Sequence, residues 1–522
     1  MKNMSRSHGV LLHPSSLPSQ EGIGGLGSEA HSFLYWLHDA GAQAWQMLPL
    51  VPSGAGHSPY SSPSAFAGNP LLISLARLSE QGWLTQSEWQ AYINLAQSWG
   101  VDEVHFVQVS AEKQTLLEQA TQRFKQALSD SKNSELQRSF KEFCHEEAYW
   151  LEDAAYFNIL STVAYPHQPW WTWPKNAQRK SKALTAKIEK KYLDELLTYK
   201  IIQYWFQEQW QALKVLADQL NISLIGDVPI YVDRHSADVW ANPSLFKLDA
   251  MSLPLVVAGV PPDAFSETGQ LWGNPIFEWS KHSSTGFSWW IARLKRVLSL
   301  THQVRIDHFR AFASYWSVPY GSQDARLGTW VKGPGISIFK AFQSALCQDG
   351  QNLPLIAEDL GLIDQEVRDL LATSGLPGMK VLQFAFDGDS QNAYLPHNYE
   401  TANCVVYTGT HDNDTSRGWW QSLDEASKHQ VRLYCSTAGE EHNISWELIR
   451  LAFSSIAGLC VIPLQDILSL GNNARMNKPS SVSGNWAWRV RQEALNPEVS
   501  SRLKALAELY GRLSTSTHPT LK

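Results

Sequence analysis

Cysteine is scarce in this sequence: there are five in 522 residues, an odd number and widely scattered. Without paired spacing they indicate neither a disulfide framework nor a metal-binding motif, so we expect free thiols. No apolar run approaches the roughly 18 residues of a membrane-spanning helix. No apolar stretch of signal-peptide length precedes Pro14. We therefore expect a cytoplasmic protein with no membrane partner.

The chain also lacks an excess of positive charge. Lys and Arg total 43 against 50 Asp and Glu, which gives a formal net charge of −7. A nucleic-acid-binding surface usually shows a basic patch, so we expect no nucleic-acid partner. No glycine-rich phosphate loop or cofactor-lysine motif stands out, and we expect catalysis, if present, to need no cofactor.

Aromatic residues, in contrast, are abundant, with 23 Trp and 17 Tyr. Such rings fill large cores, and this is the expected use of most of them. The same rings also stack on the C–H faces of sugars, whose hydroxyl groups form hydrogen bonds elsewhere. The composition is therefore compatible with a large enzyme that binds carbohydrate.

Eight short apolar or β-branched runs alternate with helical patterns. The runs are Gly9–His13, Trp45–Leu50, Leu224–Ile230, Gln303–Phe309, Leu353–Glu358, Met379–Phe386, Asn403–Thr408 and Leu459–Leu464. Ser28 is predicted to cap the first helix, and Asp364 and Gly375 to cap a later one. Continuous apolar strands separated by amphipathic helices indicate a parallel sheet covered by helices. Eight such units predict an α/β fold, a (β/α)8 TIM barrel.

Two connections are much longer than a barrel requires. Residues 54–223, between the second and third runs, are predicted to form an inserted, largely helical subdomain. Residues 1–53 and 224–522 are predicted to form the barrel, with long rim loops at 231–285 and 466–488. Within these loops, residues 261–275 and 471–484 are candidates for excluding water from a site at the rim.

Carboxylates follow four of the predicted strands. Asp227 ends the third run, Asp307 lies in RIDHFR of the fourth, Glu358 ends the fifth, and Asp412 follows the seventh in THDNDT. The carboxyl ends of barrel strands meet at one rim, where barrel enzymes have their active sites. Each residue alone is better explained as a helix cap or ion-pair partner. Together they predict a functional site.

Arg305 and Asp307 are two residues apart in a strand, so both project to the same side. The guanidinium favours an ionised Asp307, whereas a neighbouring negative charge favours a protonated Glu358. One charged and one protonated carboxyl group, about 5 to 5.5 Å apart, are what retaining glycoside chemistry requires. His411 and Asp412 are predicted to bind sugar hydroxyls. A metal site at His411, Asp412 and Asp414 is the competing interpretation, which lacks further spaced ligands.

The sequence resembles the 4-α-glucanotransferases, also called amylomaltases or disproportionating enzymes, of glycoside hydrolase family 77. The resemblance covers nearly the whole predicted barrel. The motifs that carry it are HPSSLP, SPYSSPSAFAGNP, IGDVPIYV, ADVWANP, VAGVPPDAFSETGQLWGNP, RIDHFR, IAEDLG, PGMKVLQFAF, YTGTHDNDT, ARMNKPSS and SGNWAWR.

This resemblance implies a role for each matching residue. Asp307 would be the nucleophile, Glu358 the general acid/base and Asp412 the transition-state stabiliser. The residues around the sugar at the cleavage point would be Tyr60, Asp227, Arg305 and His411. Trp272 and Asn274 would belong to an acceptor-side loop. Some relatives have a tyrosine at the position of Ala55, in a secondary glucan site that we therefore do not expect here.

The implied partners are α-1,4-glucans and maltooligosaccharides, with glucose as an acceptor. Two alternatives remain open at this point. One is an α-glucan hydrolase of the α-amylase type, which would use the same two carboxyl groups. The other is a carbohydrate-binding protein without catalysis, against which the intact pair of acids counts. The sequence leaves the oligomeric state open.

Overall fold

The computed structural model describes residues 6–262, 266–361, 363–479, 481 and 483–513. The strands in this part of the chain are β1 (Ser7–Leu11), β2 (Ala44–Gln46), β3 (Ser223–Val228), β4 (Val256–Val260), β5 (Gln270–Pro275), β6 (Gln303–Ile306), β7 (Ser314–Pro319), β8 (Thr329–Lys332), β9 (Leu355–Ala357), β10 (Gly378–Val381), β11 (Cys404–Tyr407) and β12 (Leu459–Pro463).

The α-helices, numbered in the same way, are α1 (Ser28–Asp39), α2 (Leu75–Glu80), α3 (Gln86–Ala96), α4 (Phe106–Ser129), α5 (Ser134–Glu146), α6 (Ala148–Ile159), α7 (Lys182–Lys191), α8 (Leu193–Gln219), α9 (Ala237–Ala241), α10 (Trp279–Ser284), α11 (Ser288–Leu300), α12 (Ile336–Leu346), α13 (Gln365–Ser374), α14 (Ser416–Ser422), α15 (Glu425–Cys435), α16 (Ile444–Ser454), α17 (Leu464–Ile467) and α18 (Pro497–Leu509). Among the residues described, no helix combines the length and apolar character needed to cross a membrane.

Eight strands pair in parallel in the order β10, β11, β12, β1, β2, β3, β6, β9. The two ends of this sheet meet, because the N–H of Ala357 in β9 donates to the carbonyl oxygen of Pro377 before β10 at 2.9 Å. The sheet is therefore a closed barrel whose strands follow one another in chain order. Each of the eight predicted runs overlaps one of these strands. The predicted (β/α)8 barrel is confirmed.

The local sequence explains these elements. Every residue of β11 and β12 is buried, as expected for apolar strands covered on both faces. Asp364 and Gly375 cap α13 as predicted: the Asp364 side chain accepts from the Val367 N–H, and Gly375 is left-handed. The predicted cap of α1 is wrong by one residue. Ser28 is already helical and Gly27 occupies the N-cap position.

Helices α2 to α8 fill the connection between β2 and β3. They share a buried cluster with the barrel, which joins Trp45 of β2 to Leu78 of α2 and Phe124 of α4. A buried ion pair between Lys113 of α4 and Glu21, at 2.9 Å, also links the two parts. The assignment of residues 54–223 to a separate subdomain stays a prediction.

The segment predicted as rim loop 231–285 contains strands β4 and β5. These pair with β7 and β8, from the connection after β6, in an antiparallel sheet ordered β5, β4, β7, β8. The sequence analysis did not predict this sheet. Residues 263–265 of the first rim loop, and 480 and 482 of the second, lie outside the described residues. The small sheet places β5, with Trp272, beside the carboxyl end of the barrel.

Candidate active site

The predicted site residues come together at the carboxyl ends of neighbouring barrel strands. Asp227 of β3 faces Arg305 of β6 in the strand register. Ile306 of β6 faces Ala357 of β9, so the next residues, Asp307 and Glu358, leave adjacent strands at the same level. Paired strands lie about 4.8 Å apart, so the two acids begin from neighbouring backbone positions.

Arg305 joins two of these carboxylates. Its Nη1 donates to Asp227 Oδ2 at 2.7 Å, and its Nη2 lies 2.8 Å from Asp307 Oδ1. The Arg305 and Asp227 side chains are 4% and 0% exposed, whereas 28% of the Asp307 side chain is open to solvent. Asp307 is thus the more exposed of the two carboxylates that Arg305 contacts, and the guanidinium stabilises its negative charge.

Burial dominates the electrostatics of Asp227. It raises the pKa of this carboxyl group to about 7, with Arg305 opposing the rise and the negative charge of Asp307 adding to it. Asp227 Oδ2 accepts from both Arg305 and the Tyr60 hydroxyl, at 2.7 and 2.8 Å. These two donors compensate part of the cost of a buried carboxylate.

Glu358 is held by the backbone and is 9% exposed. Its Oε2 accepts from the His308 N–H at 2.6 Å and its Oε1 from the Leu360 N–H at 3.0 Å. Burial nevertheless raises the pKa of Glu358 to about 8, and the nearby charge of Asp307 contributes in the same direction. The Glu358 carboxyl group is therefore protonated at neutral pH and able to act as an acid.

His308, directly after Asp307, has a left-handed backbone with φ 52°. A non-glycine residue in this region costs on the order of 1 kcal/mol. This turn directs the His308 N–H at the Glu358 carboxyl group, as the 2.6 Å hydrogen bond shows. The local strain is thus associated with the relative placement of the two acids.

Tyr60 and His411 form one wall of the site. Their rings are stacked, with centroids 5.1 Å apart and an interplanar angle of 11°. Burial lowers the pKa of His411, so this imidazole is neutral at pH 7. Its Nε2 lies 3.4 Å from Asp412 Oδ1. The predicted residues Tyr60, His411 and Asp412 therefore lie next to one another, and the Tyr60 hydroxyl connects them to the buried Asp227.

Trp272 and Asn274 lie on β5, next to this surface. The Trp272 and His308 rings form a T-shaped pair with centroids 4.9 Å apart, and 37% of Trp272 is exposed. Asn274 Nδ2 donates to the Val232 carbonyl oxygen at 2.9 Å, so this amide is bound to the loop after β3. Trp272 presents a free ring surface beside the acids, and Asn274 fixes the backbone around it.

Two residues that the sequence analysis did not single out contact Asp412. Asn477 Nδ2 donates to Asp412 Oδ1 at 2.6 Å, and Arg475 Nη2 donates to its carbonyl oxygen at 2.5 Å. Both lie in the motif ARMNKPSS, more than 60 residues away along the chain. The sequence signal that could have identified these two residues was their place in a motif that carries the family resemblance. The strand and helix patterns of the sequence did not point to them.

Asp414, the third member of the alternative metal site, is engaged in an ion pair with Arg475. Within the described part of the chain, no group of three or more His, Cys, Asp and Glu side chains is arranged to hold a metal ion. The polar side chains around Asp412 are instead satisfied mainly by one another.

Comparison with known proteins identifies the family to which this chain belongs. The sequence profile of the 4-alpha-glucanotransferase family matches residues 12–495. The chain belongs to this family. The 4-alpha-glucanotransferase of Synechocystis sp. (strain ATCC 27184 / PCC 6803 / Kazusa) is 46% identical over 509 residues, which are 97% of this chain and 98% of that protein. The family resemblance predicted from the sequence motifs is confirmed.

Other members of the family give the same picture. The 4-alpha-glucanotransferase of Thermus thermophilus is 44% identical over 515 residues, covering 98% of this chain and 100% of that protein. The amylomaltase of Streptococcus agalactiae, solved in complex with acarbose, superposes with a TM-score of 0.91 and 35% identity, covering 97% of this chain and 100% of that one. The superposition therefore extends over nearly the whole of both chains.

Proposed function

We propose that this 4-alpha-glucanotransferase family member transfers a segment of an α-1,4-glucan to the 4-hydroxyl group of an acceptor glucan or glucose. The observation that carries the proposal is the pair of acids on adjacent strands, one stabilised as a carboxylate by Arg305 at 2.8 Å and one buried with its pKa raised to about 8. Two such groups are what a retaining double displacement requires.

In the first step, Asp307 attacks the anomeric carbon of the donor while Glu358 gives its proton to the glycosidic oxygen. The bond to the leaving glucan breaks, and a covalent glucosyl ester of Asp307 forms. In the second step, the Glu358 carboxylate takes the proton of the acceptor 4-hydroxyl, whose oxygen attacks the anomeric carbon and releases Asp307. Two inversions leave the α-configuration unchanged.

The surrounding residues have supporting roles in this proposal. Asp412 binds hydroxyls of the sugar at the cleavage point, and these bonds strengthen in the oxocarbenium-like transition state. Tyr60, Asp227, Arg305 and His411 line the same sugar ring. Trp272, whose ring is 37% exposed beside His308, provides a surface on which an acceptor sugar stacks. Transfer then competes with hydrolysis because an acceptor occupies the place of water.

The proposed substrates are α-1,4-glucans and maltooligosaccharides, with glucose as a further acceptor. Support comes from the Streptococcus agalactiae amylomaltase, which was solved with acarbose and shares this fold at a TM-score of 0.91. The cytoplasmic location stays a prediction from the sequence.

The test is the product profile from maltotriose, measured by chromatography. We expect the wild type to release glucose and to form a ladder of longer maltooligosaccharides. Asp307→Asn should abolish turnover while sparing sugar binding, because the amide is no nucleophile. The matched control is Asp349→Asn, an exposed aspartate on the loop before β9, at the opposite rim of the barrel.

Three outcomes contradict the proposal. Retained activity in Asp307→Asn would remove the nucleophile assignment. Glucose and maltose without longer products would show the hydrolase alternative. Sugar binding by the wild type without any turnover would show the non-catalytic alternative.

A further inference from the structure

The loop that carries Asp412 runs from β11 to α14 and is fastened at both ends. The hydroxyl groups of Thr408 and Ser416 donate to Oδ2 of the buried Asp466 at 2.5 and 2.7 Å. Between these two points the Asp412 side chain is 44% exposed. The ends of the loop are therefore fixed by the barrel, but the orientation of the Asp412 carboxylate needs another restraint.

The described residues of the segment 475–486, which follows α17, supply such contacts. Asn477 binds the loop twice: its Nδ2 donates to Asp412 Oδ1 at 2.6 Å and its backbone N–H donates to the His411 carbonyl oxygen at 3.1 Å. Arg475 Nη2 donates to the Asp412 carbonyl oxygen at 2.5 Å, while its Nε donates to the Asn477 carbonyl oxygen at 2.7 Å. Both the backbone and the side chain of Asp412 are thus held from one segment.

The other end of this segment returns to the same wall of the site. The Trp486 ring lies 5.8 Å from the Tyr60 ring and 6.0 Å from the His411 ring, and Trp486 is 6% exposed. The backbone N–H of Trp486 donates to the Met476 carbonyl oxygen at 2.6 Å, which brings the two ends of the segment together. Trp486 has φ 66°, a conformation that is rare for a bulky residue and that persists where the surroundings enforce it.

We propose that Asn477 is a positioning residue for the reaction: it fixes the Asp412 carboxylate so that one oxygen faces the sugar. Oδ1 of Asp412 is occupied by Asn477 and lies near His411, whereas Oδ2 has no hydrogen-bond partner among the described residues. The Asn477 amide donates a hydrogen bond to the Asp412 carboxylate without adding a charge to the site. This inference rests on the proposed role of Asp412 in binding sugar hydroxyls.

The first experiment compares Asn477→Ala with the wild type, using maltotriose. A misplaced stabilising group lowers the rate of the chemical step more than it lowers ground-state binding, so we expect kcat to fall about 10- to 100-fold with KM changed by less than about threefold. The matched control is Asn473→Ala, an exposed asparagine of the neighbouring turn, which should leave kcat unchanged.

The second experiment uses Asn477→Asp and the pH dependence of kcat. At low pH the introduced carboxyl group is protonated and donates to Asp412 Oδ1, as the amide does. At higher pH two carboxylates would face each other across a 2.6 Å contact and repel. We therefore expect the ratio of kcat in Asn477→Asp to kcat in the wild type to rise at least several-fold between pH 8 and pH 5. A residue that only supports folding gives no such rescue.

Asp412→Asn separates this inference from the proposed function. Full activity of Asp412→Asn would overturn the role of Asp412 and the inference with it. Inactive Asp412→Asn together with wild-type kcat in Asn477→Ala would overturn the inference alone, as would a raised KM with unchanged kcat, which would make Asn477 a binding residue. If Asn477→Ala does not fold, a pH-independent ratio for Asn477→Asp still overturns the inference.

Discussion

Glu358→Gln should remove activity and at the same time stabilise the protein, increasingly so as the pH rises. The pKa of Glu358 is raised from 4.5 to about 8 by burial, with the charge of Asp307 adding to the effect. Below pH 4.5 the folded and unfolded states both hold this proton. Between pH 4.5 and 8 the folded state keeps the proton that the unfolded chain has released, so stability falls with rising pH. The loss is complete above pH 8.

The size of this loss of stability follows from the difference between the two pKa values of Glu358. A shift of 8 − 4.5 = 3.5 pH units at about 1.4 kcal/mol per unit corresponds to about 5 kcal/mol. The glutamine does not titrate and avoids this loss. Its NH2 group, however, must face one of the two N–H donors, from His308 or Leu360, at a cost of about 1 to 2 kcal/mol. The net stabilisation at pH 8 is therefore about 3 kcal/mol, and the sign is reversed near pH 5.

Thermal unfolding of both proteins between pH 5 and 8.5 measures this difference. For a chain of 522 residues, 1 kcal/mol corresponds to about 1 °C in Tm. At pH 5 the wild type has already lost about 0.7 kcal/mol, so we expect Glu358→Gln to melt at most about 1 °C below it there and about 3 °C above it at pH 8. Other buried groups titrate in both proteins and largely cancel. A difference that does not change with pH would refute the raised pKa and, with it, the acid role of Glu358.

Two further predictions concern single contacts. Tyr60→Phe keeps the ring stacked on His411 but removes the 2.8 Å hydrogen bond to Asp227, so kcat/KM for maltotriose should fall about 10-fold. The control is Tyr35→Phe, at an exposed position of α1, and equal kcat/KM values for the two variants would contradict the role of Tyr60. Lys113→Met leaves the buried Glu21 without its cation and should cost about 3 to 5 kcal/mol, seen as a lower Tm at pH 7. Lys125→Met breaks a pair whose Asp194 is 64% exposed and should cost less than about 1 kcal/mol; similar losses in the two lysine variants would contradict the argument from burial.

The barrel and its acids could be predicted from the sequence because their signals are local. Each barrel strand is a short buried run, and a carboxylate at its end is visible without knowledge of the rest of the chain. Asp227, Arg305 and Asp307 illustrate this: strand spacing alone placed Arg305 and Asp307 on one side, and the structure has the guanidinium 2.8 Å from the Asp307 carboxylate. The closed barrel then makes neighbours of strands that are consecutive in the chain.

The antiparallel sheet at the rim could not be predicted in this way. Its strands β4 and β5 come from one connection and β7 and β8 from another, and β5 is only partly buried. Apart from the short apolar run VVAGV of β4, these strands show neither a continuous apolar run nor clean alternation. The same holds for Asn477, whose contact with Asp412 joins two segments more than 60 residues apart. Polar contacts between loops that are far apart in the chain do not produce a periodic pattern of residues in the sequence, so they cannot be predicted from it.

The two adjacent acids of IAEDLG show how the closed barrel assigns different tasks to similar residues. The backbone N–H of Glu358 donates to the Ile306 carbonyl oxygen at 3.0 Å, which ties it to β6. The Asp359 carboxylate accepts from the Met379 N–H at 2.6 Å, which ties it to β10. Gly378 leaves room for that carboxylate, since a Cβ there would lie 2.7 Å from an Asp359 oxygen. Asp359 thus links the end of β9 to β10, and Glu358, whose backbone is bonded to β6, has its carboxyl group beside Asp307. The type of residue does not distinguish the tasks of these two acids. The strand to which each is bonded, β6 for Glu358 and β10 for Asp359, does.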